Sequence, residues 1–258
     1  MKGFLGKLHS LWLQVVLLLV YIIHFPFFLF FSRDERYFRS LNIARKLCSA
    51  SFMNLSGIFF DIRYEEELDR KATYVFVPNH TSYLDIPLLC LIANGAFFFM
   101  GKEELIRNPL FRLFFKTIDI PVNRESKLSG YRALQQASER IKKGMSLVLF
   151  PEGTISDRPP EMLPFKSGAF RLAIENRVPV VPVSMLNTWD ILYDKGQKNG
   201  SRPGIIRIFV HKPVPTVHLE VSDEEKLKEE VYGIMHAKLF EYASKQKYRG
   251  KDGAFGPS

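Results

Sequence analysis

The segment Pro78-Asn79-His80-Thr81-Ser82-Tyr83-Leu84-Asp85 places an imidazole five residues before a carboxylate. That spacing suits a histidine general base: the carboxylate holds the ring in one tautomer, and the other nitrogen is left to take a proton. The segment follows a β-branched, apolar run at residues 74–77 and opens a helical pattern at 82–93. It therefore falls at a strand end, where α/β sheets place ligands. No nucleophilic side chain is needed if a substrate hydroxyl attacks. The same residues also fit a plainer role, because Ser82-Tyr83-Leu84-Asp85 is a capping-box pattern in which Asp85 caps the helix and His80 fills a loop.

A second segment, Phe150-Pro151-Glu152-Gly153-Thr154, also follows an apolar run, at residues 146–150. Glu152 there either holds the loop or meets a ligand; Pro and Gly alone would make an ordinary strand-to-loop turn. Other chemistries lack their residues. There is no G-x-G-x-x-G, no G-x-x-x-x-G-K-[ST] and no G-x-S-x-G, so nucleotide-binding loops and the serine-hydrolase elbow are unsupported. His9, His24, His211 and His218 are scattered, and no metal site is expected.

The elements that must position these residues alternate. Strand patterns fall at 74–77, 96–100, 118–122, 146–150, 180–184 and 205–210, with helical patterns at 82–93, 103–117, 127–143, 166–176 and 223–245. This is the signature of a single α/β domain with a sheet covered by helices. Residues 188–204, which include Asp194-Lys195-Gly196 and Lys198-Asn199-Gly200, read as an exposed loop. The predicted organisation is an N-terminal membrane-anchoring helical part at 1–60, the α/β domain at 61–244 and a basic, flexible tail at 245–258.

Composition and charge agree with a folded chain at a membrane. The 258 residues are 47% hydrophobic and 24% charged, which excludes a disordered or coiled-coil chain. Two cysteines, Cys48 and Cys90, make no disulfide framework and favour a reducing compartment. The net charge of +9 is concentrated at 1–10, 32–46 and 245–252; residues 47–244 hold 25 basic and 24 acidic side chains, which argues against a nucleic-acid-binding body. Two of the basic segments bracket residues 11–31, an uncharged apolar run about 31 Å long as a helix, so anionic lipid headgroups are the expected partner. Gln14, His24 and Pro26 make a bent or half-buried anchor as plausible as a span. A cleaved signal peptide lacks its small-residue site, since Ser32-Arg33-Asp34-Glu35 follows. Residues 41–60 read as an amphipathic helix, expected to join the first in a two-helix membrane appendage rather than to cover a soluble core.

Asn79-His80 with Asp85, Ile120-Pro121-Val122-Asn123-Arg124, Phe150–Thr154 and Val178-Pro179-Val180-Val181-Pro182-Val183 resemble, in order, the four motifs of the glycerolipid acyltransferases that acylate lysophosphatidate. The resemblance covers roughly residues 75–183. It implies an α/β acyltransferase fold with an N-terminal helical anchor. It also implies that His80, oriented by Asp85, takes the proton of an acceptor hydroxyl, which attacks an acyl thioester in one direct transfer that gives phosphatidic acid. Arg124 matches the family arginine associated with the acceptor phosphate. Asn79, Glu152, Gly153 and Thr154 fall at substrate-binding motif positions, while Lys102 and Lys166 are placed to add charge for phosphates. No cofactor is implied beyond the co-substrate, acyl-CoA or an acyl carrier protein thioester, with a lysophospholipid as acceptor and the domain facing the cytoplasm. The sequons at Asn54, Asn79 and Asn199 are then chance matches.

Two positions depart from the family pattern: Ile155 stands where an arginine often follows the third motif, and Ile118 where the second often begins with glycine. The first removes an expected phosphate contact, which Arg158 or Lys166 would have to replace. The same chemistry on another acceptor, such as an amino-acid-containing lipid, is therefore the nearest alternative. A non-catalytic lipid-binding protein and a thioesterase are the others.

Overall fold

Seven strands form one mixed sheet in the computed structural model, which describes residues 2–192 and 200–252. The strands are β1 (Ile58–Tyr64), β2 (Val75–Pro78), β3 (Phe97–Lys102), β4 (Ile120–Val122), β5 (Ser146–Val148), β6 (Val180–Met185) and β7 (Gly204–Val210). The helices are α1 (Lys2–Phe31), α2 (Phe38–Leu55), α3 (Asp85–Ile92), α4 (Pro109–Thr117), α5 (Lys127–Lys142), α6 (Gly168–Glu175), α7 (Thr188–Ile191) and α8 (Glu224–Asp252). The strand order is β1-β7-β6-β2-β5-β3-β4, parallel throughout except between β6 and β7. Hence β2, β3, β4, β5 and β6 all end at one edge of the sheet, and β1 and β7 begin there. The loops after β2 and β5 carry His80 and Glu152 to that edge.

The central strands β2 and β6 are buried along their whole length, which is why they read as unbroken apolar runs. On one face α3 and most of α1 and α2 pack, with Leu13, Val16, Phe52, Leu88 and Leu89 buried. On the other α5, α6 and α8 pack, with Ala137, Ile141, Phe170, Val231 and Met235 buried.

Several expectations change. The helix expected over 41–60 stops at Leu55; Gly57, at φ +69°, turns the chain, and Ile58 begins β1, a strand not foreseen. Its pairing with β7 places residues on both sides of position 60 in the sheet, so the boundary expected there falls inside a strand. The helix expected over 103–117 is split: a 3-10 turn, Glu103–Arg107, precedes α4, which Asn108 caps by accepting the Leu110 N–H, with Pro109 at its first turn. Ile118 closes α4, and only Ile120–Val122 pairs with β3. The segment 188–204 begins with α7 and ends at the first residue of β7; residues 193–199, with the expected turns and the Asn199 sequon, lie outside the described residues. The last helix continues past Lys245 to Asp252.

α2 is also no free membrane helix. Arg45 on its inner side forks onto buried Asp119, at 3.2 and 3.0 Å, and donates to Asn42 Oδ1 at 3.3 Å. Asn42 in turn donates to the Phe97 carbonyl, and Asp119 accepts the Phe99 N–H. The guanidinium lies 4.7 to 5.4 Å from the ring centres of Phe114, Phe99 and Phe97. A buried charge so satisfied ties α2 to β3 and α4 and makes it part of the α/β layer.

α1 is long and apolar enough to cross a membrane, with a mean hydropathy of 2.3 over an 18-residue stretch. It runs on through Pro26. Near its start His9 bonds Ser201 Oγ at 2.7 Å and the Ser56 carbonyl at 2.9 Å, and Trp12 donates to the Leu55 carbonyl. Near its end Phe28 is buried edge-on against Phe114, ring centres 5.0 Å apart. The helix therefore lies across the domain along its length. Its outward face, including Leu5, Leu8, Val15, Leu18 and Ile22, is apolar and exposed.

His211, just beyond β7, is buried with Nε2 2.8 Å from Ser184 Oγ and Nδ1 3.6 Å from Glu65. Burial pushes its pKa down to about 4, opposed by Glu65 and assisted by Lys238. The unfolded chain, with an ordinary histidine near 6.5, then binds the proton first as pH falls. The neutral ring's contribution is complete above pH ~6.5 and is lost on the way to pH ~4, to the extent of about 3 kcal/mol. Denaturant titrations at those two pH values should show this loss in the wild type and not in His211→Gln; equal losses would refute it.

Candidate active site

His80 stands at the end of β2 because that strand runs out at Pro78. Asn79 continues the β2–β6 ladder with its side chain: Oδ1 accepts the Met185 N–H at 2.7 Å and Nδ2 donates to the Met185 carbonyl at 3.3 Å. Both ends of this fully buried amide are thereby committed to the scaffold. The substrate contact expected of Asn79 gives way to a positioning role.

His80 is held at four points. Its main-chain N–H donates to Glu152 Oε1 at 2.8 Å, and its carbonyl accepts from the Ser156 N–H at 2.8 Å. Its ring stacks on Phe150 with centres 3.9 Å apart, and Nδ1 lies 2.9 Å from Asp85 Oδ2. Asp85 Oδ2 also accepts the main-chain N–H groups of Thr81 and Ser82, at 2.7 and 2.8 Å. With two main-chain N–H groups already on it, Oδ2 acts as an acceptor toward the ring, which assigns a proton to Nδ1 and, in the neutral imidazole, leaves Nε2 with its lone pair. No hydrogen bond occupies Nε2 among the described residues, and the side chain is 12% exposed. The helix begins at Asp85 rather than at Ser82, and the capping pattern and the histidine pairing coexist on one carboxylate oxygen.

Glu152 is buried beneath this loop. Oε1 holds the His80 N–H and Oε2 the Leu163 N–H at 2.7 Å, so both oxygens serve the main chain and neither is turned to a ligand. Burial pushes its carboxyl up to about 7, against those two donors and with the Asp85 charge beside it. Of the two roles open to it from the sequence, the geometry fits loop-holding. Gly153 sits at φ +72°, and a Cβ there would come within 3.2 Å of the Lys166 side chain, which crosses it. Lys166 thus lies against the Glu152 loop, while Thr154 is exposed.

Lys102 and Arg124 are farther off. Lys102 ends β3 and Arg124 follows β4, two and three strands from β2, which is about 10 and 14 Å along the sheet edge. Lys102 forms an exposed ion pair with Glu104 at 2.8 Å. Arg124 is exposed and reaches no carboxylate within 4 Å among the described residues. Arg158, a possible replacement for the arginine absent at 155, is exposed and faces Glu161 at 3.9 Å.

Sequence reasoning missed Phe150 as the floor under His80. It also missed the 2.6 Å Thr81–Thr188 hydroxyl bond that ties the loop to α7. An aromatic next to Pro151 was the signal for the first; nothing local signals the second. A Ser184–His211–Glu65 series looks like a hydrolytic triad, but Ser184 is fully buried within β6 and no substrate reaches it.

A family model described as Acyltransferase matches residues 59–186. The chloroplastic 1-acyl-sn-glycerol-3-phosphate acyltransferase BAT2 of Brassica napus is 33% identical over 202 residues, 78% of this chain and 57% of that protein. The human 1-acyl-sn-glycerol-3-phosphate acyltransferase beta is 27% identical over 215 residues, 80% of this chain and 74% of that protein. The crystal structure of the 1-acyl-sn-glycerophosphate acyltransferase PlsC from Thermotoga maritima superposes with a TM-score of 0.78 at 25% identity, over 93% of this chain and 97% of that one. The chain spans somewhat more than half the length of the plant relatives.

Proposed function

Because the chain belongs to this acyltransferase family, we propose that it moves a fatty acyl group from a thioester to the sn-2 hydroxyl of lysophosphatidic acid, forming phosphatidic acid. The observation that carries the reading is His80 with Nδ1 locked to Asp85 and Nε2 open. The acceptor hydroxyl gives its proton to Nε2 as its oxygen attacks the thioester carbonyl. The tetrahedral intermediate then expels the thiolate, which takes that proton back from the imidazolium. The ester C–O bond replaces the C–S bond, and the ring ends neutral. Asp85 stabilises the transient imidazolium without changing its own protonation.

Lys166 and Arg124 supply charge for the acceptor phosphate: Lys166 from the loop that holds His80, Arg124 from farther along the edge. The apolar outer face of α1, with α1 lying across the domain, supports a seat in the plane of one leaflet, with the strand edge turned toward the lipid and the domain in the cytoplasm.

The test is acyl transfer by the detergent-purified protein onto lysophosphatidate and onto hydroxyl or amine lipids without a phosphate monoester. Lysophosphatidate is expected to be preferred. Arg124→Ala should raise its KM about 10- to 100-fold, the cost of one charge-assisted hydrogen bond, while leaving the donor KM in place. Ile155 favours a second reading, the same chemistry on another acceptor; activity confined to lipids without the monoester would establish it. Silence on every acceptor would leave lipid binding without transfer.

A further inference from the structure

The two substrates of a membrane acyltransferase differ in origin: one is a lipid, the other is delivered from water. The helices divide in a corresponding way. α1 and α3 lie on one face of the sheet, while α5 and α6 lie on the other and present their first turns at the same strand edge as His80. From His80 the contacts lead to Glu152, to Gly153 and to Lys166 across it. Two residues on, a Cβ on Gly168 would touch Leu134 of α5 at 3.5 Å.

One turn before Leu134, α5 carries an unusual exposed stripe. Leu128 and Tyr131 are 58% and 60% exposed, the latter's hydroxyl accepting from Gln135 at 3.0 Å. Lys127 and Arg132 flank them, both exposed and both without an ion pair among the described residues. Arg124 and Lys166, likewise without an ion pair among the described residues, extend the positive field toward the site, against Glu125 on that stretch and Glu104 near Arg124. Two large exposed apolar side chains flanked by cations on one helix form the apolar centre and charged rim of a protein-docking surface. A nucleotide asks instead for a concavity. A cleft of about 300 Å³ between Glu104, Arg107 and Asn123 lies off the stripe.

We propose that the N-terminal half of α5, at Lys127, Leu128, Tyr131 and Arg132, is the docking surface for an acidic carrier protein that presents the acyl thioester on a flexible arm. The inference rests on the acyl-transfer reading and fixes which donor serves it: the carrier sits on the α5 side, its arm crosses the Lys166 loop to His80, and the lipid enters from the α1 side.

The experiment compares palmitoyl-loaded acyl carrier protein with palmitoyl-CoA, using wild type and the double variant Lys127→Glu/Arg132→Glu. Direct binding of fluorescently labelled carrier is measured alongside. The charge reversal should raise KM for the carrier-bound donor at least about tenfold at low salt, and flatten its salt dependence, with kcat and both constants for palmitoyl-CoA unchanged. Tyr131→Ala, which leaves the charges in place, should weaken carrier binding on its own. Equal losses with both donors, a loss confined to palmitoyl-CoA, or no change with either would overturn the proposal, as would failure of wild type to bind the carrier. Carrier binding that depends on Lys127 and Arg132 in a protein that transfers from neither donor would retain the docking surface and refute the transfer reading.

Discussion

Alanine at position 80 should lower acyl transfer by about 10²- to 10⁴-fold, the usual worth of a general base, while the protein melts at its wild-type temperature. The fold is spared because the bonds joining this loop to Glu152 and Ser156 come from the main chain of residue 80 and survive the truncation. Asp85→Asn is the sharper partner experiment. An asparagine carbonyl oxygen in the place of Oδ2 still accepts from Thr81, Ser82 and His80 Nδ1, so the tautomer is kept, but the negative charge that stabilises the imidazolium formed during transfer is gone. A comparable loss of kcat with the fold kept is expected. Near-normal turnover by the His80→Ala protein would end the general-base mechanism.

Arg45→Ala should bring the largest loss of stability, about 3–5 kcal/mol, because Asp119 and its neighbours would be left buried and uncompensated. For a chain of this size that is a fall of roughly 10 °C in Tm. The double variant Arg45→Ala/Asp119→Ala should melt above the single one, since it removes the orphaned charge. A single variant as stable as wild type would show that the pair carries no net weight.

What could be read in the sequence follows from range. His80 and Asp85 are five residues apart at a strand end, and both the pairing and the strand are local patterns; so are β2, β5 and β6, whose apolar runs are short and sharply bounded. β1 was hidden because Ile58, Phe59 and Phe60 prolong the apolar texture of α2, and only Gly57 marks the break. The split before α4 is marked in the sequence by Asn108-Pro109, a cap followed by a residue suited to a first helical turn, but the apolar periodicity on either side masks it. Arg45 and Asp119 are 74 residues apart, and a basic residue in an apolar helix looks like a headgroup contact until its partner is known. Asn79 and Glu152 stand out by their motifs, but a motif does not show which way a side chain points; here both turn to the main chain.

The way α1 crosses the domain bears on what a lipid surface does for this protein. Its inner residues Leu13, Val16, Val20 and Phe28 are core residues, and its outer residues ask for hydrocarbon. One helix therefore answers to two apolar phases at once, and separating it from either exposes the other's partners. A bilayer covering those outer residues would act as a ligand of the folded state, raising its population by mass action as any ligand does. Removing the helix would open a cleft along α2 and α4, and on a lipid surface adhesion and cohesion of the fold would be one equilibrium.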